Sequence, residues 1–470
     1  MKRASRIVET VKTVVLIILV ISMAVLASVY ILGTQRERIN FGKDIVFDRL
    51  VALRSGSSEG ADAFSHGQIT PEIIGIKREG YAPCAMMTGS GYISDMYEGV
   101  MPYITEFFGS DAHCAEHSEK DGERLWKECM SSESYVYVRY HSEFPFSVLY
   151  VHSKNTDDAD IYRSQKDVEG YVYELFLCRS GSALFVVTRD MRGRVLEFTS
   201  EKTALTELPS FGMYISRCEE FCFANDEYED SAVFFGTPLF TKNIAVKKLI
   251  SDNRANAEFE ITSEKFRDLM RIFNFNPDKL SAYVDSEERG GSMYVESHGV
   301  LEVSESSIGY TAASDGGIPI SDFLNYTDAA GYNLYDALKA TEFFANRIRA
   351  LSPDSFGGDA SIGISDIGYR DGILEVDFSY YYENILVECA GESAAMKFEI
   401  DGDKFVGITL RPFSVSPSGE SVQSFSQKML IDMYEGKLDV PTEHLNMRMK
   451  YVFDGTLREE TGADWEIVAY

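Results

Sequence analysis

The feature that most constrains this chain is an uncharged run of twenty residues, Thr13 to Leu32, reading TVVLIILVISMAVLASVYIL. At about 1.5 Å of rise per residue, a helix of this length spans the roughly 30 Å hydrocarbon core of a bilayer. Lys2, Arg3, Arg6 and Lys12 surround it on the N-terminal side, opposed only by Glu9. The positive-inside rule therefore keeps residues 1–12 in the cytoplasm and sends everything after Gly33 outside. A cleaved signal peptide is the competing reading, with Ala24 and Ala27 as small residues near a cleavage point. The run continues through Val29, Ile31 and Leu32, longer than a signal core usually is, and this favours an uncleaved anchor. No second segment of comparable length and apolarity follows. The expectation is a single-pass protein of the cell membrane with a large extracytoplasmic part.

That outer part has the composition of a folded protein. With 45% hydrophobic and 13% aromatic residues in 470, the chain can bury several cores. Its net charge is −29 despite the basic start. Such a surface repels phosphate backbones and anionic headgroups, so no nucleic acid is expected as a partner. The seven cysteines are odd in number and irregularly spaced, which argues against a disulfide framework and leaves one bridge open.

Periodicity divides the ectodomain into three α+β parts: 35–235, 240–325 and 326–470. In the first, Ile39, Val46, Leu50 and Leu53 suggest a helix that loosens into a Gly/Ser-rich stretch. A short helix is expected over Pro102–Phe108, with the proline in its first turn. Tyr135–Tyr140, Phe146–His152, Val172–Cys178 and Leu184–Thr188 alternate as strands, and Asp190-Met-Arg-Gly193 turns the chain into Val195–Thr199. The acidic run 225–230 precedes another apolar stretch, 232–235. The second part opens with a helix capped by Thr262 or Ser263, with Phe266, Leu269, Met270 and Phe273 on one face, ended by Asn276-Pro277. Strands follow near 282–285, 293–296, 299–303 and 307–311. In the third part Leu334, Leu338, Thr341, Ala345 and Ile348 line a helix that stops before Pro353. Strands follow at 361–367, 373–381, 396–400 and 405–410, the last two joined at Asp401-Gly402. A helix over 421–435 carries Val422, Phe425, Met429 and Met433, and strands near 446–453 and 465–469 close the chain. The fold class is α+β: a single N-terminal transmembrane helix, then a multi-domain ectodomain of small antiparallel sheets, each packed with one or two helices.

Catalytic patterns are nearly absent. Gly56-Ser57-Ser58-Glu59-Gly60 matches the nucleophile elbow letter for letter, but that elbow needs a strand before it and a helix after it. There is no Ser-x-x-Lys, His-Glu-x-x-His, Walker loop or glycine-rich dinucleotide loop. His113-Cys114-x-x-His117, with Cys129, has zinc-type ligands, His113 and His117 sharing a face if helical; its polar surroundings fit a solvated segment better. Cys218 and Cys222 read best as two unrelated, partly buried thiols, with a bridge between them or to Cys178 as alternatives. Asp157, Asp158, Asp160 and the 226–230 run lack the turn glycine of a calcium loop. His298 sits in a strand–turn–strand and reads as structural. No cofactor is expected.

Tyr294-Val-Glu-Ser-His-Gly-Val-Leu-Glu-Val-Ser304, followed by Gly309-Tyr310, resembles a middle-domain segment of the YycH family of two-component-system regulators from Gram-positive bacteria. Phe378–Tyr382, Ala394–Arg411, the 421–435 helix, Met449–Val452 and Trp465–Ile467 resemble the last domain shared by YycH and YycI. The anchor and about residues 240–470 carry the resemblance. It implies a non-enzymatic role, with a YycG-like sensor histidine kinase and a YycI-like protein as partners and the membrane helix as much of the contact. On this chain that places the contact on Ser22, Ala24, Ala27 and Ser28, small residues that let helices approach closely; an inert anchor is the plain alternative. The rival functions are a cell-envelope binding module, suited by 27 Tyr and 30 Phe, and an envelope hydrolase built from scattered carboxylates.

Overall fold

The computed structural model describes residues 69–470 except 110–111, 155–169, 182, 201–204, 229–234, 253–262, 279–282, 285–291, 305–306, 325–331, 333, 390, 436–444, 456–458 and 470. They belong to one compact unit beginning at Gly67. The expected stub, membrane run, 35–65 segment, Gly56–Gly60 match and Asp157–Asp160 lie outside the described residues, as does the expected apolar stretch over 232–234.

Nine strands build the first sheet: β1 (Pro71–Lys77), β2 (Cys84–Met86), β3 (His113–Glu116), β4 (Tyr135–Pro145), β5 (Tyr171–Ser180), β6 (Ala183–Arg189), β7 (Val195–Thr199), β8 (Glu219–Phe223) and β9 (Pro238–Phe240). They pair in the order β3-β7-β6-β5-β4-β1-β2-β8-β9. The β6–β7 hairpin forms where Asp190 and Gly193 predict it. The Asp190 carboxylate accepts the Arg192 and Arg194 amides at 2.9 and 2.8 Å, and Gly193 takes φ +83, a conformation glycine adopts without strain.

The helices among these strands depart from expectation. Helix α1 (Ser90–Phe107) starts well before Pro102. Ile93, Met96, Tyr97, Val100, Ile104 and Phe107 are buried at helical spacing. Pro102 lies inside the helix, exposed like Glu98 four residues before it, so water can satisfy the carbonyl that loses its donor. Helix α2 (Glu119–Ser131) is capped by Ser118, whose side chain accepts the Asp121 amide. Phe146–His152, expected as a strand, is part of helix α3 (Phe146–Lys154). Its aromatic and β-branched residues favour strands locally, but α3 packs against α1 and buries Phe146, Val148, Leu149 and Tyr150. The start of the acidic run forms a single turn, α4 (Ala224–Glu227), with Asp226 accepting the Phe223 amide at 3.2 Å.

Beyond these the chain forms β10 (Ala245–Asp252), α5 (Glu264–Ile272), β11 (Tyr283–Val284), β12 (Ser292–Glu296), β13 (Gly299–Val303), β14 (Ile308–Ala312), β15 (Ile318–Pro319) and α6 (Leu334–Leu351). Then come β16 (Phe356–Gly358), β17 (Ser361–Arg370), β18 (Ile373–Tyr382), β19 (Ile385–Cys389), β20 (Ala394–Asp401), β21 (Lys404–Leu410), β22 (Phe413–Gln423), α7 (Gln427–Glu435), β23 (Leu445–Phe453), β24 (Glu460–Thr461) and β25 (Asp464–Ala469). The α5 cap is Ser263, whose Oγ accepts the Phe266 amide at 3.1 Å, and the predicted face of Phe266, Leu269, Met270 and Phe273 is buried against α6. Each such side chain contributes about 1.5–3 kcal/mol of hydrophobic burial.

The expected small antiparallel sheets are corrected. A twelve-stranded sheet runs β11-β12-β13-β14-β21-β20-β18-β19-β23-β25, with β15 also on β21 and β17 on β18. A four-stranded one runs β16-β22-β10-β24. Both are mixed, since β19–β23 and β16–β22 are parallel. β14 pairs with β21 across residue 326, and β10 lies between β22 and β24. Such pairings join distant parts of the chain, so no local pattern announces them. The helix expected over 421–435 begins at Gln427, while Val422 belongs to β22. Its supposed core residues Phe425, Met429 and Met433 are exposed, and Ile431 is buried instead.

Candidate functional site

Apolar and aromatic runs within β4, β5 and β6 each carry one of three charges: Arg139 in YVYVRYH, Glu174 in VYELFL and Arg189 in LFVVTR. The sheet register sets Arg139 opposite Glu174 and Glu174 opposite Arg189, so the charges form one row of alternating sign across β4, β5 and β6. Glu72 on β1 extends the row, its Oε2 lying 3.0 Å from Arg139 Nε. Arg139 and Glu174 are fully buried and Glu72 nearly so. Arg189 donates from Nε to Glu174 Oε2 at 2.8 Å and makes a second contact through Nη2. Tyr137, two residues from Arg139 and on the same face, donates to Glu174 Oε1 at 2.5 Å.

At its inner end the row binds the other sheet. Arg139 Nη1 donates to Asn446 Oδ1 at 2.6 Å and Nη2 to the Met447 carbonyl at 2.9 Å, both on β23. Arg448 donates to the carbonyl of His141, whose ring lies 4.6 Å from that of Tyr381. Asn384 completes the seam by donating from Nδ2 to the carbonyls of Pro71, Glu72 and Met87 at 3.0–3.2 Å. It holds φ +72, which asparagine tolerates better than most residues. Gly89, at φ +86, adds a bond from its amide to the Glu383 carbonyl at 3.1 Å. Burial works against the charge on Arg139, but Glu72 and the surrounding oxygens outweigh it and the guanidinium stays cationic. Burial, helped by Arg448 and Arg139, pulls His141 down to about 3, so its ring is neutral. Burial and then the Glu174 carboxylate push the Tyr137 phenol well up.

At its outer end the row opens into a cleft of about 400 Å³. The Arg189 guanidinium lies 4.5 Å from the Trp126 ring centre and 5.6 Å from that of Phe235, cation–π distances to both rings. Trp126 is fully buried, and its Nε1 has no hydrogen-bond partner among the described residues. A Cβ on Gly236 would come within 2.9 Å of that Nε1 and of Arg189, so only glycine lets this backbone sit against the pair. His117 Nε2 meets Glu197 at 3.0 Å and Arg194 pairs with Glu116 at 2.9 Å on the rim. Cations and carboxylates around the cleft suit recognition of a polar group by charge and hydrogen bonding.

The residues singled out in the sequence lie elsewhere or apart. Ser22, Ala24, Ala27 and Ser28 fall outside the described residues. His113 and Cys114 are neighbours on a strand and so point to opposite faces, which removes the shared helix face of His113 and His117. Cys129 lies beside Cys178, and Cys218 beside Cys84, so the neighbour of Cys178 is Cys129 and not Cys218. Among the described residues no three His, Cys, Asp or Glu side chains gather as metal ligands. His298 bonds the Phe273 carbonyl at 3.1 Å and lies against Phe275 and Tyr310, tying α5 to the β12–β13 hairpin. The sequence shows Arg139 and Glu174 interrupting apolar runs and Arg189 ending one, but the register that sets them side by side is not legible from those runs.

These features define a mixed α+β protein in which two large sheets are joined by a buried polar seam. That architecture is similar to the crystal structure of YycH from Bacillus subtilis, with a TM-score of 0.52, 9% identity, and coverage of 86% of this chain and 96% of that one. The chain thus has a YycH-like fold. No family model matches its sequence, and no curated protein does. No helix among the described residues is long and apolar enough to cross a membrane.

Proposed function

We propose that this chain is a membrane-anchored, non-enzymatic regulator of a sensor histidine kinase in a two-component system. The observation that carries the reading is the extent of the fold similarity, which takes in nearly all of the YycH chain. The sequence resemblance over 240–470 and the uncharged run 13–32 support it. In this reading 1–12 is a cytoplasmic stub, 13–32 the anchor, and 35–235, 240–325 and 326–470 the parts of an extracytoplasmic domain. A YycG-like kinase and a YycI-like protein are the partners, and Ser22, Ala24, Ala27 and Ser28 form the close-packing face in the bilayer. Regulation is a biased equilibrium: lateral contact favours one arrangement of the kinase's own membrane helices, and ectodomain contacts shift that bias.

The test is co-purification from membranes of the full-length chain, beside a version whose residues 13–32 are replaced by an unrelated transmembrane helix. A kinase recovered with the native chain and lost with the exchanged helix supports the reading. Recovery of no kinase with either form removes it.

A further inference from the structure

We propose that Cys84 and Cys218 are a dithiol built to close into a disulfide that staples β2 to the segment entering β8. The pairing of β2 with β8 sets Cys84 opposite Glu220. The Phe221 amide donates to the Pro83 carbonyl at 3.2 Å, which makes Cys84 and Glu220 a non-hydrogen-bonded pair, the kind in which the strands approach most closely. Cys218 and Cys222, two residues to either side of Glu220, occupy the diagonal positions on the face of Cys84. The Cys84 thiol shares a hydrogen bond with Cys218, so the two sulfurs are in contact. Cys218 lies just before β8 with extended backbone, its Sγ 3.5 Å from the Tyr214 carbonyl oxygen. Both thiols are free and half-buried, within reach of a small reagent.

The chemistry of the pair is asymmetric. The bond from Cys218, together with Arg78, holds the Cys84 thiol below its ordinary range, while Cys218 is pushed up. Among the described residues the Arg78 cation acts on Cys84 and no cation acts on Cys218, which assigns Cys84 as the attacking thiol and Cys218 as the resolving one. With a small disulfide such as oxidised glutathione, the Cys84 thiolate attacks one sulfur, forms a mixed disulfide and releases one glutathione thiolate. Cys218 then loses its proton and attacks the Cys84 sulfur, expelling the second glutathione. Two thiols have become one disulfide, and two electrons and two protons have passed to glutathione.

The protein contains its own control. Cys129 and Cys178 also share a thiol–thiol hydrogen bond, but both are buried, at 2% and 1% exposure, where an oxidant reaches them only after unfolding. Contact alone thus predicts two bridges, and contact with access predicts one.

The experiment treats the full-length chain, in detergent and without denaturant, with oxidised glutathione. Remaining thiols are then alkylated and the non-reducing digest is read by mass spectrometry. The expected product is a Cys84–Cys218 cross-linked peptide about 2 Da lighter than its two parts, with Cys129 and Cys178 labelled only after denaturation. The same cross-link should persist in Cys222→Ser, and Cys218→Ser should stop at a glutathione adduct on Cys84. A Cys84–Cys222 bridge, stable glutathione adducts on both Cys84 and Cys218, or two unreacted thiols would each overturn the assignment. None of these outcomes depends on the regulatory reading.

Discussion

Arg139 shows how far a single buried charge organises this molecule. Its guanidinium lies at ion-pair distance from Glu72 on its own sheet and donates to Asn446 and the Met447 carbonyl on the other. Arg139→Met leaves the Glu72 carboxylate buried without its counter-ion, a change that costs about 3–5 kcal/mol. Urea denaturation should therefore show a large fall in midpoint, and adding Glu72→Gln should recover part of it because the orphaned charge is then gone. A loss below about 1 kcal/mol would mean that Glu72 reaches water. A second residue reports through pH. Burial raises the Asp377 carboxyl from 3.8 to about 6, with Asp366 and Glu375 adding to the effect and Lys397 and Arg411 opposing it. The folded state thus holds this proton more tightly than the unfolded chain does. Its stabilising share is complete below about pH 4 and is lost as pH rises to about 6. Asp377→Asn should flatten that part of the stability–pH curve, measured as midpoints from pH 4 to 7, and an unchanged slope would remove Asp377 as its source. Neither residue was picked out by reading the sequence. Arg139, Glu174 and Arg189 become neighbours only through strand register, and a period-two pattern tells which face a residue takes without telling what lies opposite.

At the scale of elements, legibility followed locality. Ser263 capping α5, the Asp190–Gly193 turn and the α6 stripe ending before Pro353 depend on residues a few positions apart, and each formed where expected. Helix α3 and strand β22 depend on remote partners and were misread. β22 passes through Ser416, Pro417, Ser418 and Gly419, poor strand formers, and is held by pairing with β10 more than 160 residues earlier, with a register shift beside Pro417. Losing that strand moved the start of α7 back to Ser421 and chose the wrong face for its core. The difference is measurable. Ile431→Ala should cost about 2–5 kcal/mol, whereas Met429→Ala, on the exposed face, should stay within about 0.5 kcal/mol. Thermal or urea midpoints of the two variants decide which face is inside, and a larger loss at Met429 would restore the face read from the sequence.

For the whole molecule, the pairings that cross the chain determine what can fold alone. Residues 326–470 contain β21 without β14, whose removal bares the backbone edge of Gly407–Leu410. They also contain β22 and β24 without β10, the strand that lies between them. Met447 and Asn446 lose Arg139, and Asn384 loses all three of its carbonyl partners. A sheet cut through its interior exposes unpaired amides and carbonyls beside apolar side chains, which favours association over folding. A fragment of residues 326–470 should therefore show no cooperative urea transition and should aggregate, while residues 67–470 should unfold in a single transition followed alike by near- and far-ultraviolet circular dichroism. Cooperative unfolding of the shorter fragment would mean that the twelve-stranded sheet is two independent sheets in contact, and that the seam through Arg139 and Asn384 orients parts that are already folded. A single transition of the longer fragment, with none in the shorter, means the reverse: the pairings that cross residue 326 and the seam through Arg139 and Asn384 make the two sheets one cooperative unit.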